Sequence, residues 1–218
     1  MSRARPEGVK RQKRREKIYE DAIATFNRKG YEATSVSEIA EMSGLLKGSL
    51  YYYIDSKEDL LADIFAQSDK EFLALIDESL ALDMSEIDRL RHFARAWCLW
   101  YIENIGRARV YVNDWTHLTG ARRRRQAEMR RLYGRKVREL IDRAMNELGL
   151  EPRFDPEITR RYIFSAINGL PLWYRANGPV KPEEIADAYG QLVVGTVLSG
   201  YGSPVEADRR ARARPAPG

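Results

Sequence analysis

The sequence predicts an all-α chain, with an N-terminal three-helix unit built around a helix-turn-helix and a larger helical domain after it, about nine helices together. Three observations predict this. Apolar residues recur at three- and four-residue steps in almost every stretch after residue 10, the spacing that lines one face of an α-helix. Only 15 Gly and 9 Pro punctuate 218 residues, and several of them mark the breaks between those stretches. No run alternates polar and apolar residues convincingly enough to read as a strand.

The elements follow in order. Residues 11–29 place Ile18, Ala22, Ile23 and Phe26 on one stripe, and Arg28 and Lys29 suit a helix C-terminus before Gly30. Ser35 followed by Glu38 has capping-box spacing, so a short helix begins there and buries Ile39, Ala40 and Met42. Gly44 supplies a turn in which positive φ costs little. A second short helix over residues 47–53 buries Leu50 and turns Lys47, Ser49 and the tyrosines outward. Two short helices joined by a glycine turn make a helix-turn-helix.

From Lys57 a long helix carries Leu61, Ile64, Phe65, Phe72, Leu75 and Ile76. Ser85 is an N-cap candidate for the next, which repeats Ile87, Leu90, Ala94, Trp97 and Tyr101 and ends or kinks at Gly106. A shorter helix over residues 107–118 precedes a long, very basic one over 121–148. After a break at 149–156, Asp155 and Pro156 open a helix containing Ile158, Tyr162, Ala166, Gly169 and Trp173. A turn at Asn177-Gly178-Pro179 leads to the last helix, 181–199. The chain thus divides into a basic flexible arm (1–10), a helix-turn-helix domain (11–56), a larger helical domain (57–201) and a Pro-, Ala- and Arg-rich tail (202–218) expected to be disordered.

Composition excludes several function classes. With Cys98 alone there is no disulfide framework, which suits a reducing cytoplasm, and His92 and His117 lack ligand-spaced neighbours. No metal and no cofactor is expected. Nothing reaches the roughly 18 consecutive apolar residues of a membrane span, and no signal peptide is expected. An all-helical enzyme would need a nucleophile, base or metal set, and none is legible. The net charge of +5 is unevenly placed: Arg3, Arg5, Lys10, Arg11, Lys13, Arg14, Arg15 and Lys17 face only Glu7 and Glu16 in the first 17 residues. A cationic end on a near-neutral body suits docking onto a polyanion, although a solvated tail has the same composition.

The residues Phe26, Gly30-Tyr31, Thr34-Ser35-Val36, Ile39-Ala40, Ser43-Gly44, Gly48-Ser49-Leu50-Tyr51-Tyr52-Tyr53, Ser56-Lys57-Glu58 and Leu60-Leu61 together resemble the TetR family of repressors. The match is detailed over residues 14–62, and the helix order extends it over most of the rest. It implies a cytoplasmic homodimer that binds palindromic double-stranded operator DNA through its N-terminal domain. The C-terminal domain would then bind a small-molecule effector and hold the dimer. By the same resemblance the DNA-binding residues are Arg14, Ser35, Ser37, Lys47, Gly48, Ser49, Tyr51, Tyr52, Tyr53 and Lys57. Lys47 and Ser49 would read bases from the start of the second short helix, and the others would hold phosphate or admit the backbone. Ser35 would cap its helix in any case. Lys57 opens a helix, where the macrodipole disfavours a cation and a phosphate would offset that cost. Leu46, Ile54 and Asp55 depart from the family pattern.

The segment from Asn168-Gly169-Leu170-Pro171 to Asn177-Gly178-Pro179 resembles a TetR subgroup whose effectors are acyl-CoA or steroid-derived CoA thioesters. Such ligands need an apolar tunnel with a cationic mouth. The expected effector residues are Trp97, Tyr101, Trp115 and Trp173 for the acyl or ring part and Arg122 and Arg131 for the phosphates. Plain core packing for the aromatics and a solvated face for the arginines are the competing readings. A multidrug-type repressor sensing hydrophobic cations or other small aromatic ligands is the alternative regulator, and an RNA-binding or structural helical adaptor the alternative class. Dimerisation is expected on the last two helices through Ile163, Ile167, Leu170, Tyr189, Leu192, Val193 and Val197, with Gly190 and Gly195 permitting close approach.

Overall fold

The computed structural model describes residues 6–202, side chains from residue 10 onward. Arg3, Arg5 and the tail beyond Gly202 lie outside the described residues. The chain forms α1 (Pro6–Lys29), α2 (Val36–Met42), α3 (Lys47–Leu50), α4 (Lys57–Ala81), α5 (Glu86–Glu103) and α6 (Ile105–Asn113). A 3-10 turn (Asp114–His117) leads into α7 (Gly120–Glu147), β1 (Glu151–Pro152), α8 (Pro156–Asn168), α9 (Leu170–Trp173), α10 (Pro182–Gly200) and β2 (Tyr201–Gly202).

The all-α class holds, with four local differences. Residues 6–10, expected in the flexible arm, belong to α1; no Gly or Pro interrupts the chain between Gly8 and Gly30, and Lys, Arg, Glu and Gln are good helix formers. The helix expected through Trp173 is interrupted at Gly169, which raises the helical segments to ten among the described residues. Gly106 does not break the chain. The break falls at Asn104, and Gly106 lies inside α6, where a Cβ would meet Asn27 and Ile23 of α1 at 3.2 Å. The fourth difference is a strand pair: β1 and β2 are antiparallel, with Pro152 opposite Tyr201, so the exit of α10 is tied to the loop after α7.

By packing, the chain forms two compact units, each drawn from two separate stretches of sequence. One comprises residues to Lys70 with Asn104–Ala127, and the other Glu71–Glu103 with residues from Glu128 onward. Tertiary packing is the reason: Val110 and Leu118 are buried with Ile18, Ala22 and Phe26 of α1, Ile39 and Ala40 of α2, Leu50 of α3 and Leu60, Leu61, Ile64 and Phe65 of α4. Burying side chains of this size contributes about 1.5–3 kcal/mol each before entropy is counted. In the second unit α10 packs on α5, where a Cβ on Gly190 would meet the Arg91 carbonyl at 3.1 Å. Cys98 is fully buried and its thiol is pushed up to about 12 by burial, which leaves it inert. No described helix is long and apolar enough to cross a membrane.

Candidate nucleic-acid interface and effector region

The helix-turn-helix is assembled from short-range chemistry. Ser35 caps α2 as expected: its Oγ accepts from the Glu38 N–H at 3.2 Å, and the Glu38 carboxylate accepts from the Ser35 N–H at 2.8 Å. Lys29 pairs with the same carboxylate, and this pairing, with the cap hydrogen bonds, lowers the Glu38 pKa to about 2. Gly44 turns the chain at φ +64°, a conformation that any Cβ would oppose. Leu46 precedes α3 without a side-chain cap. After Leu50 the helix tightens into a turn, with Tyr53 N–H donating to the Leu50 carbonyl at 2.8 Å, so α3 is shorter than the expected 47–53.

This arrangement sorts the expected DNA-binding residues. Ser37, Lys47 and Ser49 are exposed, and their side chains have no hydrogen-bond or ion-pair partner among the described residues. Tyr51 and Tyr52 are exposed, Tyr52 by 66%, whereas Tyr53 is half-buried against the core and edge-on to Tyr52 at 5.2 Å. Gly48 has nothing within 4 Å of where a Cβ would stand and no positive φ. Neither backbone conformation nor internal packing therefore requires glycine there.

Two of the expected cations have partners inside the protein. Arg14 donates to the Ser43 carbonyl at 2.9 Å and the Gly44 carbonyl at 3.3 Å, tying α1 to the turn. Lys57 donates to the Tyr31 and Thr34 carbonyls, both at 2.8 Å, and lies 4.2 Å from the Tyr31 ring centre. Carbonyls thus supply the compensation that the sequence suggested phosphate would give. Arg11, expected as one cation of the basic N-terminal end, has its guanidinium 4.9 Å from the Tyr52 ring centre, so a cation of α1 joins the exposed tyrosines.

The effector residues fall into both units. In the first, Trp115 is half-buried and covered by Arg123 at 5.4 Å, and Arg122 pairs with Asp59. In the second, Trp97 and Tyr101 are buried, with ring centres 6.2 Å apart, in a cluster with Phe72, Phe93, Tyr133 and Phe164. Tyr101 donates to the Asn168 side-chain oxygen at 2.6 Å. The Trp97 indole N–H lies near the Tyr101 oxygen without a well-formed hydrogen bond and is buried. Such a donor costs about 1–3 kcal/mol unless a further oxygen reaches it. Trp173 is half exposed and stacks on Tyr189 at 6.5 Å. Arg131 lines a cleft between α7 and α8 with Arg135, Arg160 and Arg161, of which Arg160 and Arg161 were not anticipated.

An apolar groove of about 830 Å³ lies between α8 and α10, lined by Phe154, Ile158, Tyr162, Leu192 and Gly195 among others. Ile158, Tyr162 and Leu192 are each more than 60% exposed. The residues expected to serve a dimer are redistributed. Ile163, Ile167, Leu170, Val193 and Val197 are core, because they occupy the sides of α8, α9 and α10 that face the rest of the unit. Gly190 meets α5 of its own chain, while Gly195 on the groove side has nothing within 4 Å.

Comparison with known proteins places this geometry among regulators. Residues 18–64 match the model described as bacterial regulatory proteins, tetR family, and residues 83–197 match the tetracyclin repressor-like C-terminal domain. The HTH-type transcriptional repressor KstR2 of Mycobacterium tuberculosis is 24% identical over 185 residues, covering 84% of this chain and 92% of the relative. The TetR family regulator PfmR of Thermus thermophilus is 30% identical with a TM-score of 0.73, covering 82% of this chain and 97% of that one. AibR, solved with isovaleryl coenzyme A and operator DNA, has a TM-score of 0.74 at 23% identity, covering 83% of this chain and 98% of its own.

Proposed function

The chain belongs to the TetR family of bacterial regulatory proteins, and from that premise we propose that it is a repressor that binds a palindromic operator as a homodimer and is released by a CoA thioester. The observation that carries the DNA-binding part is the open face of α3. Lys47 and Ser49 have no internal partner, and Gly48 is a helical glycine that the fold itself does not need. A missing Cβ at that position lets a backbone approach from outside. Lys47 and Ser49 supply base discrimination, while Tyr51, Tyr52 and Arg11 meet phosphate and set position.

The groove between α8 and α10 supports the dimer. A second copy would cover Ile158, Tyr162 and Leu192 and use the open space at Gly195, in a two-fold four-helix contact. In the bound form the two recognition helices would lie about 34–36 Å, or a related helical repeat, apart.

The effector reading rests on chemistry in the second unit, where an aromatic cluster holding a buried, poorly satisfied indole N–H occurs together with an arginine-lined cleft. AibR's bound isovaleryl coenzyme A shows that this fold accommodates such a ligand in that protein. A cationic effector has less to recommend it. The cavity of about 230 Å³ lined by Asp59, Asp63 and Asp69 also has Arg122 and Arg125 in its wall. Each carboxylate there already accepts from the protein: Asp59 from Ser56, Asp63 from Arg15 and Tyr19, Asp69 from Tyr111. A ligand can release DNA only insofar as it prefers the conformation that fits DNA poorly. The test is titration of acyl-CoAs of several chain lengths, free CoA and a cationic dye into an operator complex. Release by acyl-CoA is the expected result. Release by the dye and by no CoA ester would overturn the effector assignment.

A further inference from the structure

The middle of α7 and the first turns of α8 enclose a cleft of about 460 Å³, within the range of small-molecule sites. Six arginines line it, Arg130, Arg131, Arg135, Arg138, Arg160 and Arg161, and Glu157 is the one carboxylate among its described lining residues. Glu157 is shared by two of them: Arg160 Nε donates at 2.7 Å and Arg161 Nε at 2.9 Å. Arg138 is answered by Asp142 at 2.8 Å. Arg131 and Arg135 are exposed and have no hydrogen-bond or ion-pair partner among the described residues. The local surplus of positive charge repels itself.

Two contacts give the cleft a shape and a neighbour. Gly134 forms part of its lining, and a Cβ there would stand 3.2 Å from Arg160 Nη1, so the missing side chain lets that guanidinium lie over the α7 backbone. Arg160 Cζ also sits 5.0 Å from the Phe164 ring centre, and Phe164 packs edge-on to Trp97 at 4.8 Å. Arg130 is close enough to buried Tyr101 to favour its phenolate electrostatically, against the larger opposing effect of burial. The cationic cleft therefore borders the aromatic cluster within a single unit.

We propose that this cleft binds a polyphosphate group, with Arg131 and Arg135 as its principal guanidinium donors and Arg160 held over Gly134 as a third. Guanidinium forks match phosphate oxygens in pairs, and several of them in one cleft suit a pyrophosphate with a further phosphoryl group better than a single carboxylate. That chemistry is offered by the nucleotide end of a CoA thioester and by a free nucleotide polyphosphate. The CoA assignment rests on the effector reading above, whereas affinity for phosphate does not. Relative to the sequence expectation, the phosphate end moves from Arg122, which pairs with Asp59, toward Arg131.

The experiment is calorimetric titration of the full-length protein with adenosine 3′,5′-bisphosphate, CoA, an acyl-CoA, ATP and an acyl-pantetheine lacking phosphate, at low and high salt. The variants are Arg131→Gln/Arg135→Gln and Gly134→Leu, which pushes Arg160 outward. Arg124→Gln is the control, and melting curves report folding. We expect the double variant to weaken CoA and bisphosphate binding at least about tenfold, with little change for acyl-pantetheine or in the control. Binding that falls as salt rises would agree with an open cationic cleft. If acyl-CoA binds and releases DNA with unchanged affinity in both cleft variants, the cleft proposal fails and the effector reading survives. If bisphosphate binding depends on the arginines but no CoA ester releases DNA, the cleft stands and the effector reading fails. Equal affinity for ATP and acyl-CoA would support the polyphosphate site and make a free nucleotide its source. No binding of any phosphorylated probe, or a loss of duplex affinity in the ligand-free double variant, would overturn the proposal.

Discussion

Along the single helix α7, two groups of arginines meet different fates. Near its start Arg122 pairs with Asp59, and Arg123 covers Trp115 and donates to the Thr116 carbonyl at 3.1 Å. Further along, Arg131 and Arg135 find no partner among the described residues and share a cleft with two further arginines of α8. One basic run in sequence is thus two surfaces. Cations answered inside the protein are spent on its own packing, and those left open are the ones proposed to meet an anion in the cleft. The same division runs through the helix-turn-helix, where Arg14 and Lys57 are answered by carbonyls and Lys47 is not.

The division breaks most visibly at Lys47. Lys47→Ala should cost about 1–3 kcal/mol of discrimination between operator and random duplex, roughly five- to 150-fold, and leave the melting temperature unchanged. A melting temperature that falls with the binding would move Lys47 to the structural group. Lys57→Met should do the reverse. Losing a charged donor to two carbonyls should lower stability by about 2 kcal/mol in denaturant titrations, while the slope of log K against log salt stays put. A slope flattened by about 0.9 would instead mean that Lys57 holds a phosphate.

Arg11→Gln tests the cation that shares its surface with Tyr52. It should weaken operator and random duplex alike by a few-fold and flatten the salt slope by about 0.9; loss on the operator alone would make Arg11 a base reader. The smallest effect concerns Glu38. Its pKa is depressed from 4.5 to about 2, so its contribution is complete above pH 4.5 and is lost as the pH falls toward 2. Helical circular dichroism of Glu38→Gln should therefore show a shallower acid transition than the parent chain. Identical acid limbs would show that the pairing with Lys29 adds nothing in solution.

What was legible in the sequence is what neighbours within four residues decide. Ser35 and Glu38 cap one another, Gly44 turns, and Asp155 accepts from the Glu157 N–H at 2.9 Å ahead of a helix opened by Pro156. What was not legible depends on partners far along the chain. Arg14 meets carbonyls 29 and 30 residues away, Lys57 reaches back 23 and 26 residues, and Arg122 meets a carboxylate 63 residues earlier. Spacing alone cannot separate an arginine that will meet Asp59 from one that will not. For the same reason residues 104–127 read as part of the larger domain although Val110 and Leu118 complete the first unit's core. That Ile163, Ile167, Leu170, Val193 and Val197 are core was not legible either, because an all-round apolar pattern does not say which stripe faces inward.

Gly48 carries a consequence for anyone who evolves this protein in the laboratory. Its Cβ position is vacant and its backbone is ordinary, so alanine there should add something of the order of 0.5–1 kcal/mol to the fold. Gly190 offers no such gain, because the Arg91 carbonyl would stand 3.1 Å from the new atom. A library selected for heat resistance alone would therefore keep glycine at 190 and discard it at 48. The survivors would be sturdier proteins that had lost their hold on the operator.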